Sequence, residues 1–153
     1  MPEIIILIGE PASGKSTWRA ANQKDHQVIS SDDILESLAS ENNITYGEAF
    51  NIYAGRATEE CHHNFASALA QKSNIIIDRT NMTRKSRAKF LAMVGAEYER
   101  KAIVFRVPRD ELVERARIRG EQTGKTIAPW IIDRMISTYE APGDSEFDEV
   151  TFV

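Results

Sequence analysis

Residues 9–16 read Gly-Glu-Pro-Ala-Ser-Gly-Lys-Ser and directly follow the apolar run Ile4-Ile5-Ile6-Leu7-Ile8. This is G-x-x-x-x-G-K-S at the end of a buried strand, the setting that a phosphate-binding P-loop requires. Gly9 and Gly14 let the backbone turn tightly, so that successive N–H groups point into one concavity. Lys15 is placed to reach the outer phosphates and the Ser16 hydroxyl to ligate Mg²⁺. A helix beginning at Lys15 adds the positive end of its dipole to the same point. The stretch Gly9, Pro11, Ala12, Ser13, Gly14, Lys15, Ser16 and Thr17 is therefore the expected nucleotide-binding segment, with a nucleoside triphosphate as the ligand.

The rest of the chain fits a domain built around that loop. Its 153 residues suffice for one domain with a real core, and the expectation is a single domain over 1–153. Apolar residues at 42 % and charged residues at 27 % argue against extended disorder. The single cysteine, Cys61, excludes an internal disulfide and suits a reducing compartment. The N-terminal apolar run is too short for a signal core or a membrane span, so a cytoplasmic protein without membrane association is expected. No protein partner is inferable. Cys61-His62-His63 lacks a second pair at ligand spacing and reads as a core thiol with two partly exposed histidines, not a metal site.

Apolar strand-like runs alternate with helical patterns, which predicts a parallel α/β sheet. Strands are expected at 3–8, 27–30, 74–78, 101–107 and 149–153. Helices are expected at 15–23, 31–39, 83–94, 109–119 and 130–139, with Ser31 and Thr83 as N-caps. Residues 46–71 carry an apolar stripe at helical spacing (Tyr46, Phe50, Tyr53, Ala57, Cys61, Phe65 and Leu69), although Gly47 and Gly55 argue against one unbroken helix. Gly120–Thr126 reads as a polar loop between two helices.

In open parallel sheets, ligands bind at the carboxyl ends of the strands. Asp32 and Asp33 follow the second strand, and Asp78, Arg79, Thr80 and Asn81 follow the third. One of the first two carboxylates is placed to take the proton of an attacking hydroxyl. Asp78 suits the Mg²⁺ shell, while Asp33, Arg79 and Thr80 are candidates for acceptor contact. Arg115 and Arg119 lie four apart on one helix face, with Arg117 pointing elsewhere. Phosphoryl transfer gathers negative charge that a closing lid can meet with such arginines. The net charge of −4 speaks against a nucleic-acid partner, but positive residues concentrate in 79–89 and 100–119, enough for a short polyanion.

Four ordered segments, Ile8–Trp18, Ser31-Asp32-Asp33, Ile77–Asn81 and Glu111 through Arg119-Gly120, give the chain its resemblance to the 5′-hydroxyl kinase domain of phage polynucleotide kinase and the wider family of small P-loop kinases. That resemblance implies a five-stranded parallel sheet in the order 2-3-1-4-5, flanked by helices and with a helical lid. It implies ATP and Mg²⁺ as cofactors and a nucleic-acid substrate. Lys15 and Ser16 would hold phosphates and metal, Asp32 would be the general base, Arg119 the lid arginine and Arg115 its nucleotide-side support. The family places an arginine three positions after that aspartate, near the substrate phosphate, and this chain has Leu35. Three readings stay open: a kinase of 5′ ends, a kinase of hydroxymethyl bases in phage DNA or of a nucleoside or small metabolite, and a nucleotide-dependent switch without turnover.

Overall fold

The computed structural model describes residues 1–153. Its centre is strand β1 (Glu3–Ile8), whose five residues from Ile4 onward are all buried. Being covered on both faces, β1 reads as a continuous apolar run instead of an alternating one. It pairs in parallel with β3 (Ile75–Asp78), Ile4 opposite Ile75, and with β4 (Glu99–Val104), Ile6 opposite Ala102. Strands β2 (Gln27–Ile29) and β5 (Glu149–Phe152) complete a five-stranded parallel sheet in the order β2-β3-β1-β4-β5. The expected order holds.

Helices close both faces. The larger cluster packs Ile4, Ile6 and Ile8 against Cys61, Phe65, Phe90 and Leu91. The smaller one sets Leu7 and Phe105 beside the half-buried Trp18 of α1 (Lys15–Asn22). Between β2 and β3 run α2 (Ser31–Asn42) and α3 (Tyr46–Ala70), and α4 (Arg84–Leu91) precedes β4. A third cluster, Leu112, Ala116 and Ile132, joins α5 (Arg109–Thr123) to α6 (Pro129–Thr138) as the lid.

Several boundaries differ from expectation, each for a local reason. Ser30, not Ser31, caps α2, its hydroxyl accepting from the Asp33 N–H at 3.3 Å. Helix α3 runs unbroken past Gly47 and Gly55, anchored by a Thr45/Glu48 capping box. Its buried stripe is Ala49, Ala57, Cys61, Phe65 and Ala68, while Phe50 stays 52 % exposed. Strand β4 begins two residues earlier than expected and ends at Val104, because the polar Glu99 and Arg100 still pair with β1. Helix α5 continues through Gly120 and stops only at Gly124, which sits in the left-handed region at φ 77°. The expected loop at 120–126 is therefore helical over its first four residues.

Candidate active site

The phosphate cradle is a backbone structure braced from behind. Gly9 donates its N–H to the Thr80 carbonyl at 3.0 Å, which docks the loop on the segment after β3. A Cβ on Gly9 would meet Ser13 Oγ at 2.6 Å and Phe105 Cβ at 3.0 Å, so no larger residue fits. Ala12 (φ 66°) and Gly14 (φ 106°) both take left-handed backbone, the alternation that turns consecutive N–H groups into one anion-binding hollow. The first N–H groups of α1 have no partner within the helix and line the same hollow.

Lys15 curls into this loop, its Nζ donating to the carbonyls of Gly9 and Glu10 at 2.8 Å each. Burial, aided by the charge of Arg119, pulls its pKa down to about 8 against the opposing pull of Asp78, Glu10 and Asp32. An ammonium so short of counter-charge favours an incoming polyphosphate. Two buried polar atoms beside it, Glu10 Oε2 and Ser13 Oγ, have no hydrogen-bond partner.

A cleft of about 590 Å³ opens over the cradle, and only two of its 19 lining residues are hydrophobic. It gathers Pro11, Ala12, Gly14, Lys15, Ser16 and Thr17 of the loop with Asp32, Asp33, Asp78, Arg79, Thr80, Arg115 and Arg119. Of the residues expected at the site, Gly9 and Ser13 do not line it; they stand behind the cradle and shape it. Leu35 is 2 % exposed, belongs to the core and does not line the cleft, so its side chain makes no substrate contact there.

Arg19 organises the floor, and sequence reasoning missed it. Its guanidinium donates Nη1 to Asp33 Oδ1 (3.1 Å) and Asp78 Oδ2 (2.8 Å), and Nη2 to Asp33 Oδ2 (2.5 Å). The available signal was its position four residues after Lys15, on the same helix face. The consequence separates the two neighbouring acids. Asp33 has both oxygens engaged, whereas Asp32 is exposed and accepts one hydrogen bond, from Tyr46 Oη at 2.5 Å. Burial, together with the hydrogen bond to Asp32 and its charge, pushes the Tyr46 phenol up, so it stays a neutral donor.

The lid arginines divide as their helix face requires. Arg119 lines the cleft and takes part in no ion pair. Arg115 donates to Glu111 Oε1 at 2.6 Å and to the P-loop carbonyl of Ala12 at 3.3 Å. Arg117, outside the cleft, is held by Glu114 and Glu121. Arg109 pairs with Asp133 and Asp110. Most of the expected basic residues over 100–119 are thus ion-paired; Arg119, inside the cleft, and Arg100, outside it, are not.

For a divalent ion, the Ser16 hydroxyl and the second oxygen of Asp78 make no hydrogen bond and offer hard oxygen donors at the end of the cradle, so these residues fit Mg²⁺. No group of three or more His, Cys, Asp or Glu residues is arranged to hold a metal. An ion bound here would complete its shell with phosphate oxygens and water. No helix is long and apolar enough to cross a membrane.

The chain is similar in sequence and fold to several known proteins. The chain is 27 % identical over 154 residues to the transcription factor bHLH140 of Arabidopsis thaliana, covering 97 % of this chain but 16 % of that protein. In the Pnkp1/Rnl/Hen1 RNA repair complex, one chain superposes with a TM-score of 0.72 at 27 % identity, over 90 % of this chain and 43 % of that one. A fungal RNA kinase shares the fold, with a TM-score of 0.56 and 14 % identity over 99 % of this chain and 74 % of its own. The chain thus spans less than half the length of the first two. The sequence family described as AAA domain (AAA_33) matches residues 4–142, and the chain belongs to that P-loop kinase family, with a five-stranded parallel sheet flanked by helices.

Proposed function

We propose that residues 1–153 form one ATP-dependent, Mg²⁺-dependent kinase domain that phosphorylates a hydroxyl of a nucleic acid, with the 5′-hydroxyl end of DNA or RNA as the leading acceptor. One observation carries this reading. Asp32, an acid with one oxygen uncommitted, shares a cleft with Lys15 and with the unpaired Arg119. A nucleotide switch needs no acid poised for an acceptor hydroxyl, whereas a kinase does. The RNA repair complex and the RNA kinase among the structural neighbours support the nucleic-acid class of acceptor.

Each side chain then has a task. Lys15 and the loop N–H groups bind the phosphates, and Ser16 with Asp78 would hold the metal, which neutralises charge between the outer phosphates. Asp32 accepts the hydroxyl proton as the acceptor oxygen bonds to the γ-phosphorus and the bond to the β–γ bridging oxygen breaks, releasing ADP. Arg119 meets the charge on the transferring group. Arg115 ties the lid to the P-loop through Ala12. On the acceptor side, Leu35 supplies no cation, and the cleft offers Arg79 instead, with Thr80 next to it in the chain. A reducing, cytoplasmic setting suits the buried, unpaired Cys61.

Incubation with ATP labelled at the γ-phosphate tests the proposal against three acceptors: a 5′-hydroxyl oligonucleotide, DNA carrying hydroxymethyl bases, and free nucleosides. Label should enter the oligonucleotide end. Label only in the other acceptors would replace the substrate class, and ATP binding with no transfer at all would favour the switch.

A further inference from the structure

Tyr46 sits on an apolar stripe in the sequence, yet its hydroxyl is spent on Asp32. It is the first residue of α3, and the capping box ahead of it fixes where that helix begins: Thr45 Oγ1 accepts from the Glu48 N–H at 3.1 Å, and Glu48 Oε1 accepts from the Thr45 N–H at 3.1 Å. The phenol then donates to Asp32 Oδ1 at 2.5 Å, leaving Oδ2 of this cleft-lining residue without a hydrogen bond. Over the face of the same ring lies Lys125, its Nζ 4.7 Å from the ring centre. Lys125 also pairs with Glu36, one turn beyond Asp32 on α2. It follows Gly124 directly, in the segment that joins α5, bearer of Arg119, to α6.

We propose that Tyr46 is a positioning residue for Asp32, and that Lys125, resting on its ring, makes the orientation of that carboxylate depend on where the lid segment sits. The inference rests on the role given to Asp32 above. An exposed aspartate without a partner samples several rotamers. One charge-assisted hydrogen bond selects the rotamer in which the second oxygen faces the acceptor. Because the lysine that covers Tyr46 travels with the lid, the arginine of the lid and the base of the acceptor side are set by one movement. An open lid would leave Tyr46 uncovered and Asp32 loosely held, which suppresses transfer to water before an acceptor is enclosed.

Steady-state kinetics on three variants test this. Tyr46→Phe keeps the ring and the lysine contact and removes only the hydroxyl. It should lower kcat for oligonucleotide phosphorylation about tenfold or more, with the KM for ATP and the melting temperature unchanged, since misorientation of a reacting group costs rate and not binding. Lys125→Met should lower kcat by a few-fold, and the double variant should be no slower than Tyr46→Phe alone, because the lysine acts through the phenol. Lys125→Arg should restore the rate. Full kcat in Tyr46→Phe, or effects that multiply in the double variant, would overturn the inference. Asp32→Asn assayed alongside separates the two claims. If it is inactive while Tyr46→Phe is fully active, only this inference falls. If Asp32→Asn is fully active, or the wild type transfers to no acceptor, the proposed function falls and takes this inference with it.

Discussion

The phosphate cradle takes its parts from residues 9–17, whereas the acceptor side of the same cleft draws Asp32, Tyr46, Arg79 and Lys125 from four separate segments. The cradle is mostly backbone, pressed against the core at Gly9 and Phe105 and tied to β3 through Thr80. Behind it stands Arg87, fully buried, which donates to the Asn81 carbonyl at 2.9 Å and to Glu146 at 2.8 Å. Asn81 in turn donates to the Leu7 carbonyl at 2.8 Å. The acceptor side has no such backing. Asp32 is exposed and Glu36 half exposed, while the Lys125 side chain that pairs with Glu36 is largely covered. An ion pair whose carboxylate is half exposed contributes modestly to folding, so this half can change partners at small cost.

The largest expected effect falls on the buried brace. Arg87→Ala would leave the largely buried Glu146 with only the Gly143 N–H and the exposed Arg84 at 3.8 Å; burial pushes its carboxyl up, while mainly the Arg87 hydrogen bond and charge pull it, on balance, below the usual range. A loss of about 3–5 kcal/mol in stability is expected in denaturant unfolding. Lys125→Met, on the acceptor side, should leave the midpoint nearly unmoved. Equal losses in the two would erase the distinction between the regions.

Next in size is Lys15→Ala, which should keep the fold yet reduce transfer about 10²–10³-fold by removing the charge on the outer phosphates. Unchanged turnover would break the cradle assignment. Arg119→Lys keeps the charge but loses the planar fork. Turnover should fall about tenfold while ATP binding changes little. Arg117→Lys, in its own glutamate cluster, should do almost nothing.

A further effect is one of pH. With the free-state Lys15 pKa near 8, the ammonium is already charged below that pH and must gain a proton on binding above it. Nucleotide affinity should therefore hold below pH 8 and weaken above it by up to about tenfold per unit, until the bound-state pKa is passed. Calorimetry in buffers of different ionisation enthalpy should register the proton taken up. Affinity flat from pH 7 to 10 would contradict the burial of this lysine.

The same contrast explains what the sequence made legible. The cradle and the central strands followed from contiguous apolar runs and a local motif, and the strand order from the family resemblance. Arg115 and Arg119 were separable from Arg117 by helical spacing alone. Arg19, Tyr46 and Arg87 were not found, because each acts across the fold: Arg19 on an acid 59 residues away, Arg87 on one equally distant, and Tyr46 on Asp32 from the next helix. A tyrosine on an apolar stripe and an arginine on a short helix carry no mark of their partners. Gly55 misled in the opposite direction, since no neighbouring atom lies within 4 Å of where its Cβ would be, and packing elsewhere along α3 carries the helix through.

The division between the two halves is tested most directly by Asp32→Asn, measured for ATP affinity and for single-turnover transfer in the same preparation. The substitution keeps the shape of the side chain and its acceptor oxygen for Tyr46, but it removes the proton acceptor. The account predicts unchanged ATP binding and a loss of transfer of about 10²-fold or more. Transfer at the wild-type rate, or a crippling effect from Asp33→Asn instead, would contradict it.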